Sequence, residues 1–200
     1  MKKMKQLLGI IVAIFIFNNT NANTLTINAN DSIKSGIYMS AEDFLNKKLA
    51  FEINCSTSSH KINTHEFLSK PYIDITHEGK KYRLKKDSIF GYRDCEGNDF
   101  RLYNDKEYKI LETAGVTIYM NEVAKSENKQ FKLVPYYFFS VKTDGGIVEL
   151  TKLNLKNAFP DNHKFHDMID AQFKDETELP LYDSFHKSYK VNHLLHMSYQ

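Results

Sequence analysis

The sequence predicts an α+β fold: an antiparallel β-meander sheet, either open or strongly curved, covered by C-terminal helices. Three observations carry this. Between Lys80 and Glu122, turn residues recur at close, regular intervals between short β-prone runs. The joints Asp87-Ser88, Glu96-Gly97-Asn98, Asp105-Lys106 and Ala114-Gly115 are too short for parallel crossovers, so neighbouring strands must run antiparallel. After Thr151 the apolar period changes from that of a strand to that of a helix.

From the start of the chain, Lys2, Lys3 and Lys5 precede an apolar run, Leu7 to Phe17, and a polar stretch ending in Ala22. This is the build of a secretory signal peptide over residues 1–22, with Thr20 and Ala22 as the small residues before the cut. The apolar run is well short of the roughly 20 residues that span a bilayer. No cysteine stands near the cut to accept lipid, the first being Cys55. The expectation is an exported chain, periplasmic or extracellular and not lipid-anchored. Residues 23–200 are read as a single α+β domain, β-rich over 23–150 and helical over 151–200.

Within that domain Leu25 to Ile27 and Ile37 to Met39 read as short strands. Ser40, followed by Ala41, Glu42 and Asp43, has the hydroxyl cap and early acids of a helix start, with Phe44 and Leu45 on its buried side and its end near Asn46. Leu49 to Ile53 is extended again. Thr64 caps a turn from His65 to Lys70 that Pro71 ends. Tyr72 to Thr76 then pairs with Lys81 to Lys86 across Glu78-Gly79, and the meander continues through Ile89 to Asp94, Asp99 to Asn104, Glu107 to Thr113 and Val116 to Asn121. Phe131 to Val141 carries Tyr136, Tyr137, Phe138 and Phe139 on both faces, which predicts a strand that is central or covered on both sides. Pro135 then requires a bulge or a position without a ladder bond. Asp144-Gly145-Gly146 turns the chain into Ile147 to Leu150. Leu155 and Phe159 fall one helical turn apart, and Pro160 is a natural first residue for a second helix, striped by Phe165, Met168, Ile169 and Phe173. A third helix is expected from Asp183, as cap, to Met197.

An internal echo supports the meander. Glu78-Gly79-Lys80-Lys81-Tyr82-Arg83-Leu84 and Glu96-Gly97-Asn98-Asp99-Phe100-Arg101-Leu102 share Glu-Gly, an aromatic, Arg and Leu, with a fainter copy at Tyr108-Lys109-Ile110. Alternation along a strand sends the aromatic and aliphatic residues to a dry face and the basic residue to a wet one. Repeated hairpin geometry accounts for this; the functional alternative is a ligand-binding ladder of aromatics and arginines.

The full chain carries 27 basic and 25 acidic side chains. Removal of Lys2, Lys3 and Lys5 leaves 24 basic against 25 acidic, so the mature domain is close to neutral. That argues against general nucleic-acid binding, which needs a concentrated positive surface. Lys80, Lys81, Arg83, Lys85 and Lys86 form a local basic cluster, read as a solvated or edge-protecting face, with a polyanion site as the alternative.

No catalytic signature is present: no Gly-x-Ser-x-Gly elbow, no Gly-rich phosphate loop, no dinucleotide fingerprint. Five of the eight histidines fall in the last 40 residues. His163, His166 and Asp170 share one face of a helix within metal-ligand reach, opposite the apolar stripe, where a solvated polar face is the plainer reading. His186, His193 and His196 could share a side of the last helix, and neither His-x-x-His carries the Glu of a zincin. A Cys55–His60 pair and the acids Asp94 and Glu96 are formal candidates that polar-segment and turn chemistry explain more simply. Exposed aromatics, Tyr92, Tyr103, Tyr119 or Tyr136, could line a sugar site only if they face solvent in a groove. Cys55 and Cys95 either form a disulfide, which would stabilise by about 4 kcal/mol in the chain-entropy estimate for a loop of this length, or remain separate thiols.

Three segments together, Gly36-Ile37-Tyr38 with Ala41-Glu42-Asp43-Phe44, then Asp87-Ser88-Ile89-Phe90-Gly91-Tyr92-Arg93-Asp94, then Ala158-Phe159-Pro160-Asp161-Asn162-His163-Lys164-Phe165, resemble a family of small exported bacterial proteins of unknown function. The resemblance spans most of the mature chain and implies no reaction, cofactor or catalytic residue. The expected function is a non-enzymatic binding or envelope-associated module. Its partner would be a protein or a small-molecule ligand, without nucleic acid, cofactor, metal or a membrane span in the mature chain. The rival is a histidine-dependent metal or hydrolytic site in the C-terminal helices.

Overall fold

The computed structural model describes residues 34–56, 61–65, 70–127 and 130–200. In chain order the elements are β1 (Lys34–Tyr38), α1 (Ala41–Leu45), β2 (Ala50–Asn54), β3 (Lys61–Asn63), β4 (Tyr72–His77), β5 (Lys80–Lys85), β6 (Gly91–Arg93), β7 (Asp99–Tyr103), β8 (Lys106–Glu112), β9 (Thr117–Glu127) and β10 (Gln130–Ser140). After them come β11 (Val148–Glu149), α2 (Lys152–Ala158), α3 (His163–Gln172), β12 (Tyr182–Asp183), β13 (Ser188–Tyr189) and α4 (Lys190–Ser198). The architecture is α+β and chiefly antiparallel. One eight-stranded sheet has the order β11-β10-β9-β8-β7-β6-β1-β2, and β3-β4-β5 form a separate three-stranded sheet. The expected leader (1–22) and the strand at Leu25 to Ile27 lie outside the described residues, as does most of the turn between His65 and Lys70.

The consecutive hairpins β6 to β9 pair as the short joints required, and β10 pairs antiparallel with β9. The meander does not begin at Lys81, however. β5 pairs with β4, and β3, which the sequence did not announce, adds to β4. A single 3-10 turn over Lys86–Ser88 redirects the chain, and β1 takes the place beside β6. The two sheets then meet through their apolar faces, Ile73 and Ile75 against Ile37, Tyr92 and Leu102, with Tyr82, Leu84 and Phe100 packed around them. Both copies of the echo thus contribute their aromatic and leucine to one core. Gly91 makes the β6–β7 approach possible: a Cβ there would lie 1.9 Å from the Phe100 carbonyl oxygen.

The helix α1 is capped as read, the Ser40 hydroxyl accepting from Asp43 N at 3.0 Å. Phe44 is buried against Tyr38 and Phe90, whereas Leu45, expected inside, is exposed, because so short a helix turns only one residue inward. β10 needs a larger correction. Only two-residue β11 lies beyond it, and Phe131 and Leu133 are exposed; burial is confined to its end, at Phe139 and Ser140. Aromatics on both faces reported composition here, not coverage.

In the C-terminal region α3 starts at His163 with Asn162 as cap, not at Pro160. α4 starts at Lys190, because Asp183 spends its carboxylate on the turn between β12 and β13, accepting from Phe185 N and His186 N. Asp side chains serve turns as readily as caps. Of the expected stripe, Phe165, Ile169 and Phe173 are buried, in a cluster with Val116, Ile118, Phe139, Leu155, Val191 and Leu195. Cys55 and Cys95 are joined in a disulfide, with Cα atoms 5.6 Å apart. Among the described residues no helix is long and apolar enough to cross a membrane.

Candidate functional site: a cleft with buried cations

A cleft of about 1150 Å³ opens where the chain passes from the three-stranded to the eight-stranded sheet. The outer face of β4–β5 contributes Tyr72, Arg83 and Lys85; the turn after β5 contributes Lys86; β7 contributes Arg101 and Tyr103. Arg83 is exposed, held by Asp74 through two hydrogen bonds of 2.7 and 3.0 Å, with its guanidinium 3.9 Å from the Tyr72 ring centroid. The Arg83 bond, and after it the bond to His65, draws the Asp74 carboxyl down to about 2. The same bond raises Arg83.

Arg101 and Lys86 differ from every other cation in the site, for their side chains are buried: 5% and 2% exposed. Strand alternation sends Arg101 away from the apolar face that carries Phe100 and Leu102, but the far side is not open water. Tyr119, at the heart of the sheet, and the turn at Asp144-Gly145 close over it. Arg101 donates to the Tyr119 hydroxyl at 2.9 Å and to the carbonyls of Asp144 and Gly145 at 3.0 and 2.7 Å. Its guanidinium lies 5.3 Å from the Phe90 ring and 5.2 Å from the Tyr103 ring. Lys86 is fixed by its backbone N–H on the Pro71 carbonyl, and its Nζ donates to the Asp105 carbonyl at 2.9 Å. That carbonyl belongs to the tight β7–β8 turn, in which Asn104 and Asp105 both take positive φ.

Neither cation forms an ion pair among the described residues. The carboxylates that line the cleft, Asp87, Asp105 and Asp144, belong to exposed residues. Carbonyls and ring faces offset part of the cost of burying a cation, but the compensation from a countercharge is missing. Two fixed, buried donor groups thus lie beside a cleft with aromatic walls, an arrangement chemically able to hold negative charge.

The basic cluster read from the sequence therefore divides. Arg83, Lys85 and Lys86 line the cleft, Lys80 and Lys81 do not, and Arg101 joins from 18 residues on. The echo was the one signal that could have found this, since its two arginines meet here; its wet-face assignment hid the burial of Arg101.

The other candidates disperse. His166 Nε2 lies 2.8 Å from the Phe159 carbonyl oxygen, and Asp170 pairs with Lys156, which holds its carboxyl below the ordinary range. His163 lies 5.8 Å from His166, ring to ring. His186 stacks on His193 at 3.8 Å and bonds Asp183, drawing that carboxyl down to about 2, while His196 contacts Gln200. Among the described residues no three His, Cys, Asp or Glu side chains converge as metal ligands. Cys55 is occupied by Cys95, and His60 lies outside the described residues. Asp94 accepts from Glu96 N and Asn98 N within its turn. Tyr92 and Tyr119 are buried; Tyr103 lines the cleft, and Tyr136 is half-buried with Lys125 over its ring.

Comparison of the chain with protein-family models, curated proteins and solved structures finds no match to any of them. Function has to be argued from the site.

Proposed function

We propose that this protein is an exported, non-enzymatic binding module, of the kind its segments resemble, and that its ligand is a small molecule seated in the cleft at the junction of the two sheets. What supports this is the pair of buried cations, Arg101 and Lys86, lining the cleft with no ion pair to a carboxylate among the described residues. A core position is often as stable, or more so, with an apolar residue of the same size, so unpaired buried charge signals a role outside folding. In this reading the C-terminal helices cover one face of a strongly curved sheet, leaving the junction open.

Thermal shift of the mature protein with inorganic phosphate, citrate, benzoate and glucose tests the cleft. At least one should raise Tm, and Arg101→Gln should abolish the rise. No rise with any of the four, or equal rises in the variant, would overturn the reading. Expression of the full chain in a bacterium should release a protein whose first residue is Asn23; an intact chain retained in the cytoplasm would refute export. About one zinc, copper or nickel ion per chain, lost in His163→Ala with His166→Ala, would favour the histidine-dependent rival instead.

A further inference from the structure

The geometry points to a definite ligand class for this cleft: a small organic molecule with one anionic group, carboxylate, phosphate or sulfonate, on an apolar or aromatic body. The inference rests on the proposal that the cleft is a binding site, and it goes further by asking what the lining selects.

Charge in the lining is graded by burial. The two buried charged residues, Arg101 and Lys86, are both positive. The exposed ones are mixed: Arg83 and Lys85 against Asp87, Asp105 and Asp144, with Arg83 already engaged by Asp74. A long polyanion laid across the opening would meet three carboxylates and gain little. A compact anionic group that reaches inward meets only positive charge, in surroundings where water screens it least. Among the described residues Arg101 also has single donors to spare: Nη2 gives both its hydrogens to the Asp144 and Gly145 carbonyls, but Nη1 donates once, to Tyr119, and Nε not at all. A charged N–H of this kind suits one oxygen of such a group, as a single donor and not as a two-pronged clamp.

The rest of the lining excludes a bare ion as the natural occupant. Met39, Pro71, Tyr72, Ile89, Phe90 and Tyr103 supply apolar and aromatic surface. The volume, about 1150 Å³, is that of a site for a whole organic molecule and far exceeds a phosphate or an acetate. A neutral sugar would leave the two cations uncompensated, and a neutral hydrocarbon would bury them further from water. Only a molecule that is anionic at one end and apolar along its body satisfies both parts of the lining.

The test uses 1-naphthoate, its neutral counterpart 1-naphthalenemethanol, 1-naphthyl phosphate, inorganic phosphate and polyphosphate, titrated calorimetrically into the mature protein. The naphthoate or the naphthyl phosphate should bind one per chain, at least about tenfold tighter than the alcohol, the size of one charge-assisted hydrogen bond. Which of the two binds better distinguishes a carboxylate from a phosphate ligand. Inorganic phosphate and polyphosphate should bind more weakly than either. Lys86→Met should weaken the aromatic anion about tenfold while raising Tm, a combination that a purely structural lysine would not give. Phe131→Ser, far along the β9–β10 hairpin, should change nothing and controls for adhesion to exposed apolar surface.

If the alcohol binds as tightly as the anions, and Lys86→Met and Arg101→Gln still alter binding, the cleft stands and the ligand class falls. Tighter binding by polyphosphate than by the naphthyl anions also sinks the class. If no aromatic probe binds while phosphate, citrate or glucose still gives a rise in Tm that Arg101→Gln abolishes, the ligand class falls and the cleft stands; if binding ignores both cleft variants, the cleft itself is not the site.

Discussion

Asp99 shows how much a single side chain can carry in this fold. Its two oxygens accept from Arg93 Nε and Nη2, both at 2.7 Å, from the Tyr38 hydroxyl at 2.8 Å and from Lys47 at 3.2 Å. Burial pulls its carboxyl up, but Arg93, Tyr38 and Lys47 outweigh burial and the net displacement is downward. Burial and then the Asp99 bond push the Tyr38 phenol well above its ordinary range. Asp99→Ala strands a guanidinium and a phenol at once, and urea denaturation should show a loss of roughly 2–3 kcal/mol. Lys86 is the opposite case. Removing its charge takes away a burden, so Lys86→Met should gain stability where Asp99→Ala loses it. Arg101 was half legible in the sequence: the alternation in Phe100-Arg101-Leu102 gave its direction correctly. Its burial depends on the turn at Asp144-Gly145, more than 40 residues later, and no local pattern contains that contact.

At the scale of elements, the sequence was most legible where chemistry is local. Ser40 and its helix, the Glu78-Gly79 hairpin and the joints from β6 to β9 all follow from residues a few positions apart. It was least legible where one side chain had two local uses, as at Asp183, or where coverage depended on neighbours, as along β10. α4 gives the long-range counterpart. Its buried Asn192 accepts from Val116 N at 3.0 Å and donates to the Val116 carbonyl and to Glu112 at 3.0 and 2.6 Å, tying the helix to the β8–β9 turn. Gly115, with a φ of 148°, lies where a Cβ would come 2.7 Å from the Asn192 Oδ1 atom. Asn192→Ala leaves the Val116 groups unpartnered and should cost roughly 1–3 kcal/mol, with hydrogen exchange accelerating first at Val116.

For the whole molecule, the depressed carboxyls set the acid limit. Asp74 and Asp183 titrate at about 2 in the fold against an ordinary 3.8, and Asp99, Asp170 and Asp175 are also lowered. Groups lowered on folding stabilise while ionised in both states. That stabilisation is complete above the ordinary carboxylate value and is lost as pH falls through the folded one. Tm should therefore hold steady down to about pH 4 and fall between about pH 4 and 2. A Tm unchanged at pH 2 would show these ion pairs and hydrogen bonds to be slack in solution. The division between the eight-stranded and the three-stranded sheet was not legible at all, because it turns on which strand takes the place beside β6. β1 and β6 are separated by more than 50 residues, and short joints say nothing about such a partner.

That place for β1 has a mechanical consequence. β2 and β6 flank it, and the Cys55–Cys95 bond joins those two neighbours just beyond the level of Lys34. A pull applied to the chain ahead of Lys34 must drag β1 lengthwise between two rails that cannot spread. With the bond reduced, the rails can part and the strand peel free. Single-molecule extension from that end should accordingly register a clear drop in rupture force on adding reductant, and equal forces would mean the clasp bears no load.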